Sequence, residues 1–231
     1  DCALSEKDEK KLMTYVLQKK RIFISSPFSR EAVNRLVKFN VPAFKIGSGE
    51  CNNYPLIEYI AKFKKPIILS TGMNSIPQIR KSVNILRKKK IPYALLHCTN
   101  VYPTPPKLVR LHCISVLKKN FPDAVVGLSD HTTSNYTSYA AIALGAQIIE
   151  RHFVDTKKRA GPDINCSMEP NDLRNLIEGS EIINDALKNK NKEALIEELK
   201  TIKFAFASVV SIKNIKAGEK LNKENIWVKR P

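Results

Sequence analysis

Residues 125–131 read VVGLSDH. Val125, Val126 and Leu128 form an apolar run without polar alternation, the pattern of a strand buried on both faces of a parallel sheet. The run stops on three reactive side chains, Ser129, Asp130 and His131. Some twenty residues on, QIIERH (147–152) ends the same way, on Glu150, Arg151 and His152. Two neighbouring strands that end in chemistry raise the question of whether they are two walls of one site.

Working outward, four more runs share the pattern: RIFISS (21–26), AFKIGS (43–48), PIILST (66–71) and YALLHC (93–98). Between them lie SREAVNRLVKF, YPLIEYIAKF and IPQIRKSVNILRKKK, whose apolar positions recur every three or four residues, as helices require. The chain is therefore a repeated βα unit. Every strand ends in polar groups: Ser25-Ser26, Lys45 to Ser48, Ser70-Thr71-Gly72, His97 to Asn100, and the two endings above. An open doubly wound sheet gathers function at one switch point. A ring of polar strand ends predicts a (β/α)8 TIM barrel with its site at the C-terminal mouth. About six of eight βα units are visible, and SEKDEKKLMTYVLQKK (5–20) reads as a helix before the first of them. Two strands are thus expected upstream, in a chain truncated at both ends. The barrel portion is expected over 1–186, a linker over 187–203, and the start of a small β-rich domain over 204–231, with a turn at Ala217-Gly218.

The 231 residues carry a net charge of +17, 43% hydrophobic and 26% charged content. The charge is mostly lysine spread over helical stretches, without aromatic interleaving, an RNP motif or a zinc knuckle. This argues against nucleic-acid binding and for a field that draws in small anions. No apolar run approaches the roughly 18 residues that would span a bilayer. The five cysteines (Cys2, Cys51, Cys98, Cys113, Cys166) are odd in number and include no CxxC pair, which points to a reducing, cytoplasmic setting.

His131 and His152 point from neighbouring strand ends toward one volume, and neutral imidazoles there suit a divalent metal. Each alone reads more readily as a core histidine; it is the pair that points to a metal. His97 reads as a core or supporting histidine, His112 as surface. Lys45 ends an otherwise uncharged strand, so it must meet an anion or lose its proton. Ser48, between Gly47 and Gly49, favours an anion pocket over a Schiff-base nucleophile. Glu50 is placed to orient water or to act as a base, or else to serve a helix start. Asn100, Tyr102 and Asp163 follow strand ends in loops, where they suit sugar hydroxyls or ordinary turn chemistry.

Together KIGSGECNNYPLI, ILSTGMNS, LLHCTNVYPTP, GLSDHT, ERHF, GPDINCSMEP and IWVKRP resemble the sialic acid synthase (N-acetylneuraminate synthase) family, in order and along essentially the whole chain. The resemblance implies a barrel followed by an antifreeze-like (SAF) domain. It also implies condensation of phosphoenolpyruvate with N-acetylmannosamine, aided by a divalent metal, typically Mn2+ with Mg2+ or Co2+ as alternatives. Carried over by position, His131 and His152 resemble the metal ligands. Lys45, Ser48, Asn100 and Ser129 resemble the phosphoenolpyruvate pocket, with Ser70 nearby. Ser26 stands where the family often has Thr. Glu50 resembles the carboxylate that handles the attacking water, and Tyr102 and Asp163 the sugar-binding groups. Arg230 resembles an arginine inserted into the partner's site of a domain-swapped homodimer. A carboxylate and a second lysine belong, in the family, to the two strands expected upstream, so the chain alone is expected to be inactive. A legionaminate- or pseudaminate-type synthase is the near alternative, and a Schiff-base aldolase using Lys45 the distant one.

Overall fold

Five of the six apolar runs become strands of one parallel sheet: β1 (Phe44–Ile46), β2 (Ile67–Ser70), β3 (Tyr93–Cys98), β4 (Val125–Asp130) and β5 (Ile149–Arg151), in sequence order. The computed structural model describes residues 4–230; Cys2 lies outside them. Two units are distinguished, Asp1–Lys188 and Asn189–Pro231.

The first unit opens with α1 (Glu6–Gln18) and α2 (Arg30–Lys38), and each later strand is followed by a helix. These are α3 (Tyr54–Ile60), α4 (Ile76–Lys88), α5 (Cys113–Asn120), α6 (Tyr136–Ala143) and α7 (Pro170–Ala186). Helix starts are set by local chemistry. The Ser29 hydroxyl accepts from the Ala32 N–H at 3.2 Å, and the Asn53 amide oxygen accepts from the Leu56 N–H at 3.2 Å. At α7, Glu169 is the cap and its N–H donates to Asp172 at 3.1 Å. Along α4, Ile79, Val83 and Leu86 recur at helical spacing and are fully or almost fully buried against the sheet, with Phe44, Ile46, Leu69 and Leu95. Each such side chain contributes roughly 1.5–3 kcal/mol through burial.

The sheet curls into a half-barrel. If flat, it would hold β1 and β5 about 19 Å apart, four spacings of about 4.8 Å. Yet the Lys45 ammonium of β1 lies 3.5 Å from the Glu150 carboxylate of β5. Side chains on the concave side therefore converge on one volume, which is what the ring of polar strand ends anticipated.

The structure corrects the expectation of a first strand at RIFISS. Residues 21–26 form no strand: a single N–H, that of Lys45, donates to the Ser25 carbonyl at 3.3 Å. Ile22 is 74% exposed and Ile24 37%. An apolar run becomes a buried strand only when neighbours pair its backbone and cover both faces, and among the described residues nothing does so on its outer side.

The second unit begins inside the stretch read as a linker, part of which is helical. A short 3-10 turn (Ile196–Glu198) leads into α8 (Leu199–Ala205), and β6 (Ser208–Ser211) pairs antiparallel with β7 (Ile226–Lys229). The connection turns at Gly218, where φ is +82°, a conformation that glycine adopts without a Cβ penalty. Buried Asn225 ties it together, donating to Glu219 at 3.1 Å and to the Lys220 carbonyl at 3.0 Å. Among the described residues no helix is long and apolar enough to cross a membrane.

Candidate active site

Register explains the paired endings. In the β4–β5 ladder Ser129 lies opposite Glu150 and Asp130 opposite Arg151. Because successive strand residues face opposite ways, Ser129 and His131 share one side with Glu150 and His152, while Asp130 and Arg151 take the other. On that second side Asp130 is buried and accepts from the Thr132 N–H (2.9 Å), the Ser138 hydroxyl (2.8 Å) and the Thr137 hydroxyl. Buried Arg151 lies 4.0 Å from it and donates to the Thr132 and Ser134 carbonyls and to Asn135. This network fixes the two strand ends relative to each other.

On the concave side the histidine rings are 5.2 Å apart, centre to centre. Nδ1 of His131 is 2.9 Å from the Thr99 carbonyl. A carbonyl only accepts, so Nδ1 carries the proton and Nε2 is left with a free lone pair. Burial pushes the His131 pKa down, helped by the neighbouring His152 and opposed by the Thr99 contact, so the ring stays neutral near pH 7. A neutral ring, oriented by a carbonyl and presenting one lone pair beside a second histidine, fits half of a divalent metal's shell. Among the described residues no group of three His, Cys, Asp or Glu is suited to hold a metal ion.

Tyr102 lies against both rings, 4.1 Å from His131 and 5.9 Å from His152, and Asp163 comes within 3.9 Å of His152 Nδ1. Burial pushes the Tyr102 pKa up, so its hydroxyl keeps its proton. A cavity of about 230 Å3 opens here, lined by Tyr102, Lys157, Arg159, Asp163 and Asn165. Its polar, charged walls suit a hydroxylated ligand. A second cavity of about 410 Å3 shares Cys98 with the site but contains none of the anticipated residues.

The anion side is built on the first two strands. The Lys45 ammonium donates to the Ser70 hydroxyl at 2.8 Å and lies 3.5 Å from Glu150, which in turn accepts from the Ser129 hydroxyl at 2.8 Å. Ser48 is buried and accepts from the Gly72 N–H at 3.1 Å, and Asn74 donates to its carbonyl at 3.0 Å. At Gly72 space is tight: a Cβ there would stand 1.9 Å from the Asn100 amide oxygen and 2.9 Å from the Ser48 hydroxyl, so both side chains would have to move. Asn100 donates to the Tyr102 hydroxyl at 3.3 Å, linking the anion side to the aromatic side.

All the anticipated residues except Arg230 thus fall in the first unit's strand-end region or its loops, but not all of these meet. Lys45 meets Ser70 directly and, with Ser129, converges on Glu150; Asn100, Tyr102, His131, His152 and Asp163 form a chain of contacts; Ser48 accepts from the Gly72 N–H. Glu50 turns to Asn53, whose amide donates to it at 2.6 Å, and so supports the N-cap of α3. Ser26 lines a different cavity with Glu9 and Arg35. Arg230 lies in the second unit, where it donates to the Phe204 carbonyl at 3.3 Å and stacks over that ring. His97 is buried, with Nε2 2.6 Å from the Val109 carbonyl, and His112 is exposed.

Sequence reasoning placed Glu150, Gly72 and Cys98 at strand ends but gave them no role in the site. The Cys98 thiol lies 3.4 Å from the Asn100 amide oxygen and 3.9 Å from His131 Nδ1, and burial pushes its pKa up. The signal for Glu150 was present in its two-residue spacing from His152, which puts both on one side of the strand.

The NeuB family model matches residues 1–192. The N,N'-diacetyllegionaminic acid synthase of Campylobacter jejuni is 40% identical over 231 residues, covering 99% of this chain and 69% of that protein. The mouse N-acetylneuraminate-9-phosphate synthase is 35% identical over 220 residues, 95% of this chain and 61% of that one. Among solved structures, the N-acetylneuraminic acid synthetase of Leptospira borgpetersenii superposes with a TM-score of 0.82 at 31% identity, over 87% of this chain and 70% of that one.

Proposed function

The chain belongs to the NeuB family, that of the sialic acid and related nonulosonate synthases, and we propose that it condenses phosphoenolpyruvate with N-acetylmannosamine to give N-acetylneuraminate and phosphate. The observation that carries this reading is the juxtaposition of a lysine-serine anion pocket with a histidine pair and a polar cavity at one mouth. A divalent cation, Mn2+ in this proposal, held by His131 and His152, would supply Lewis-acid polarisation of the sugar aldehyde oxygen.

Lys45, Ser48, Ser129 and Asn100 bind the phosphate and carboxylate of phosphoenolpyruvate through charge-assisted hydrogen bonds, with Ser70 orienting Lys45. Tyr102 and Asp163 hold the open-chain sugar so that its aldehyde carbon faces the enol C3. The C3–C1 bond forms, C2 becomes electron-deficient, and water adds there. Glu50 is assigned to that water, through the carboxylate oxygen not engaged by Asn53. The adduct then collapses with cleavage of the C2–O bond, releasing phosphate. Arg230 would complete the site of a partner subunit in a homodimer. Residues 204–231 would begin the antifreeze-like domain.

A legionaminate-type product is the second reading, favoured by the higher identity to the Campylobacter protein, 40% against 35% for the mouse one. The chain spans 61–69% of the length of these relatives. Phosphate release is therefore measured on the full-length gene product that carries these residues, beside the 231-residue chain. Release that needs both N-acetylmannosamine and Mn2+, and is lost in His131→Ala, supports the proposal. Release only with a diacetamido sugar selects the second reading. Borohydride trapping at Lys45 without a metal requirement would replace both with an aldolase.

A further inference from the structure

Lys45 and Ser129 are the two groups that the proposed function most needs free for an anion, and both are already engaged by the same carboxylate oxygen. Glu150 Oε1 accepts from the Ser129 hydroxyl at 2.8 Å and lies 3.5 Å from the Lys45 ammonium. An ammonium has three N–H bonds and a hydroxyl one O–H. Lys45 directs its three toward the Ser70 hydroxyl (2.8 Å), the Ile46 carbonyl (3.3 Å) and Glu150. Ser129 spends its only one on Glu150.

Two Lys45 N–H groups and the Ser129 O–H are thus hydrogen-bonded, and the Lys45 charge is paired with the Glu150 carboxylate. The side chains of Lys45 and Ser129 are confined, Lys45 at 13% exposure and Ser129 at 4%, while the Glu150 side chain is 39% exposed and has room to turn outward. The contact also crosses the half-barrel from β1 to β5, so it does not follow from strand pairing alone.

We propose that Glu150 is an internal competitor for the anion pocket: it occupies the Lys45 and Ser129 donors in the free protein, and a ligand bearing carboxylate and phosphate binds by displacing it. The inference rests on the proposed function and deepens it, because it assigns a specificity role to a residue outside the anticipated set. A monoanion replaces one carboxylate with another and gains little. A ligand with two anionic groups takes both donors and gains contacts with Ser48 and Asn100 that Glu150 does not make. The pocket is thereby biased against small monocarboxylates and toward phosphorylated carboxylates. The apparent affinity is lowered by the fraction of time that the pocket is open.

The test is isothermal titration of the full-length gene product with phosphoenolpyruvate and, separately, pyruvate, for the wild type, Glu150→Gln, Glu150→Ala and Lys45→Ala. Thermal melts check folding of each variant. If the pocket is open about a tenth of the time, both Glu150 variants bind phosphoenolpyruvate about tenfold more tightly than the wild type. Pyruvate tightens at least as much, and Lys45→Ala loses binding. A merely structural Glu150 gives the opposite sign. Wild-type binding that is lost in Lys45→Ala, but unchanged or weakened in both Glu150 variants, overturns this inference and leaves the proposed function standing. Full binding by Lys45→Ala overturns it as well. No phosphoenolpyruvate binding by the wild type or either Glu150 variant overturns both the inference and the function it rests on.

Discussion

Replacing Gly72 with alanine adds one carbon at the point where the two halves of the site touch. That Cβ would lie 1.9 Å from the Asn100 amide oxygen, 2.9 Å from the Ser48 hydroxyl and 3.1 Å from Asn100 Cγ. An ordinary carbon–oxygen contact is about 3.3 Å, so the Asn100 amide must retreat by about 1.4 Å. That retreat strains or breaks the Asn100 contact with Tyr102. Asn100 donates to Tyr102, and Tyr102 packs on His131 at 4.1 Å, so the shift passes from the anion pocket to the histidine pair. Overpacking of this kind costs about 1–3 kcal/mol of stability. A misplacement of about 1 Å at reacting groups costs about 100-fold in rate. The expected result in the phosphate-release assay is a kcat/KM lower by about 100-fold, with weaker phosphoenolpyruvate binding and a modest loss of melting temperature. Gly49→Ala is the control, because a Cβ at that position meets nothing within 4 Å. It is expected to stay within about twofold of the wild type. A Gly72→Ala protein with wild-type kcat/KM and phosphoenolpyruvate affinity would refute the reasoning.

Three further outcomes follow from the same geometry. Asp130→Asn removes the charge that faces buried Arg151 and disturbs an acceptor of three hydrogen bonds, so urea denaturation should show a loss of about 3 kcal/mol. Gly127→Ala places a Cβ 2.3 Å from the Ile148 carbonyl, a backbone atom that cannot swing aside, and should cost about 2–3 kcal/mol by the same measurement. Burial pushes the His97 pKa below its usual value, the Val109 contact opposing and Arg110 adding to the shift. The unfolded chain therefore takes up a proton first as pH falls, and stability that is full above about pH 6.5 declines below it. Urea midpoints at about pH 7.5 and about pH 5.5, on either side of that value, should show this decline. His97→Gln should flatten only part of it, because His131 is shifted in the same direction.

The half-barrel is legible in the sequence because its strands are buried on both faces, and such burial writes itself as unbroken apolar runs with polar ends. RIFISS shows the limit of that signal: composition reports the burial a segment is suited to, whereas a strand also needs backbone partners. The histidine pair is legible from two matching strand ends. Glu150 is only half legible: its two-residue spacing from His152 puts both on one side of the strand, but the β4–β5 register is what sets it opposite Ser129. Glu50 illustrates the converse. Its place after Lys45 and Ser48 suggests the site, but an Asn53 side chain three residues on draws one of its oxygens to the start of α3. Gly72 stands in plain view after Ser70 and Thr71, yet the reason for it lies across the fold, in the close approach of Asn100.

The most direct measurement follows the oxygen that bridges C2 and phosphorus in phosphoenolpyruvate. The full-length gene product is incubated with N-acetylmannosamine, Mn2+ and phosphoenolpyruvate labelled with 18O at that bridge, and the product masses are read by mass spectrometry. Water adding at C2 with C–O cleavage sends the label into the released phosphate, and this is the result expected. Label retained in the sugar acid would mean P–O cleavage and would contradict the assigned chemistry; no consumption of phosphoenolpyruvate with any acetamido sugar would contradict the site itself.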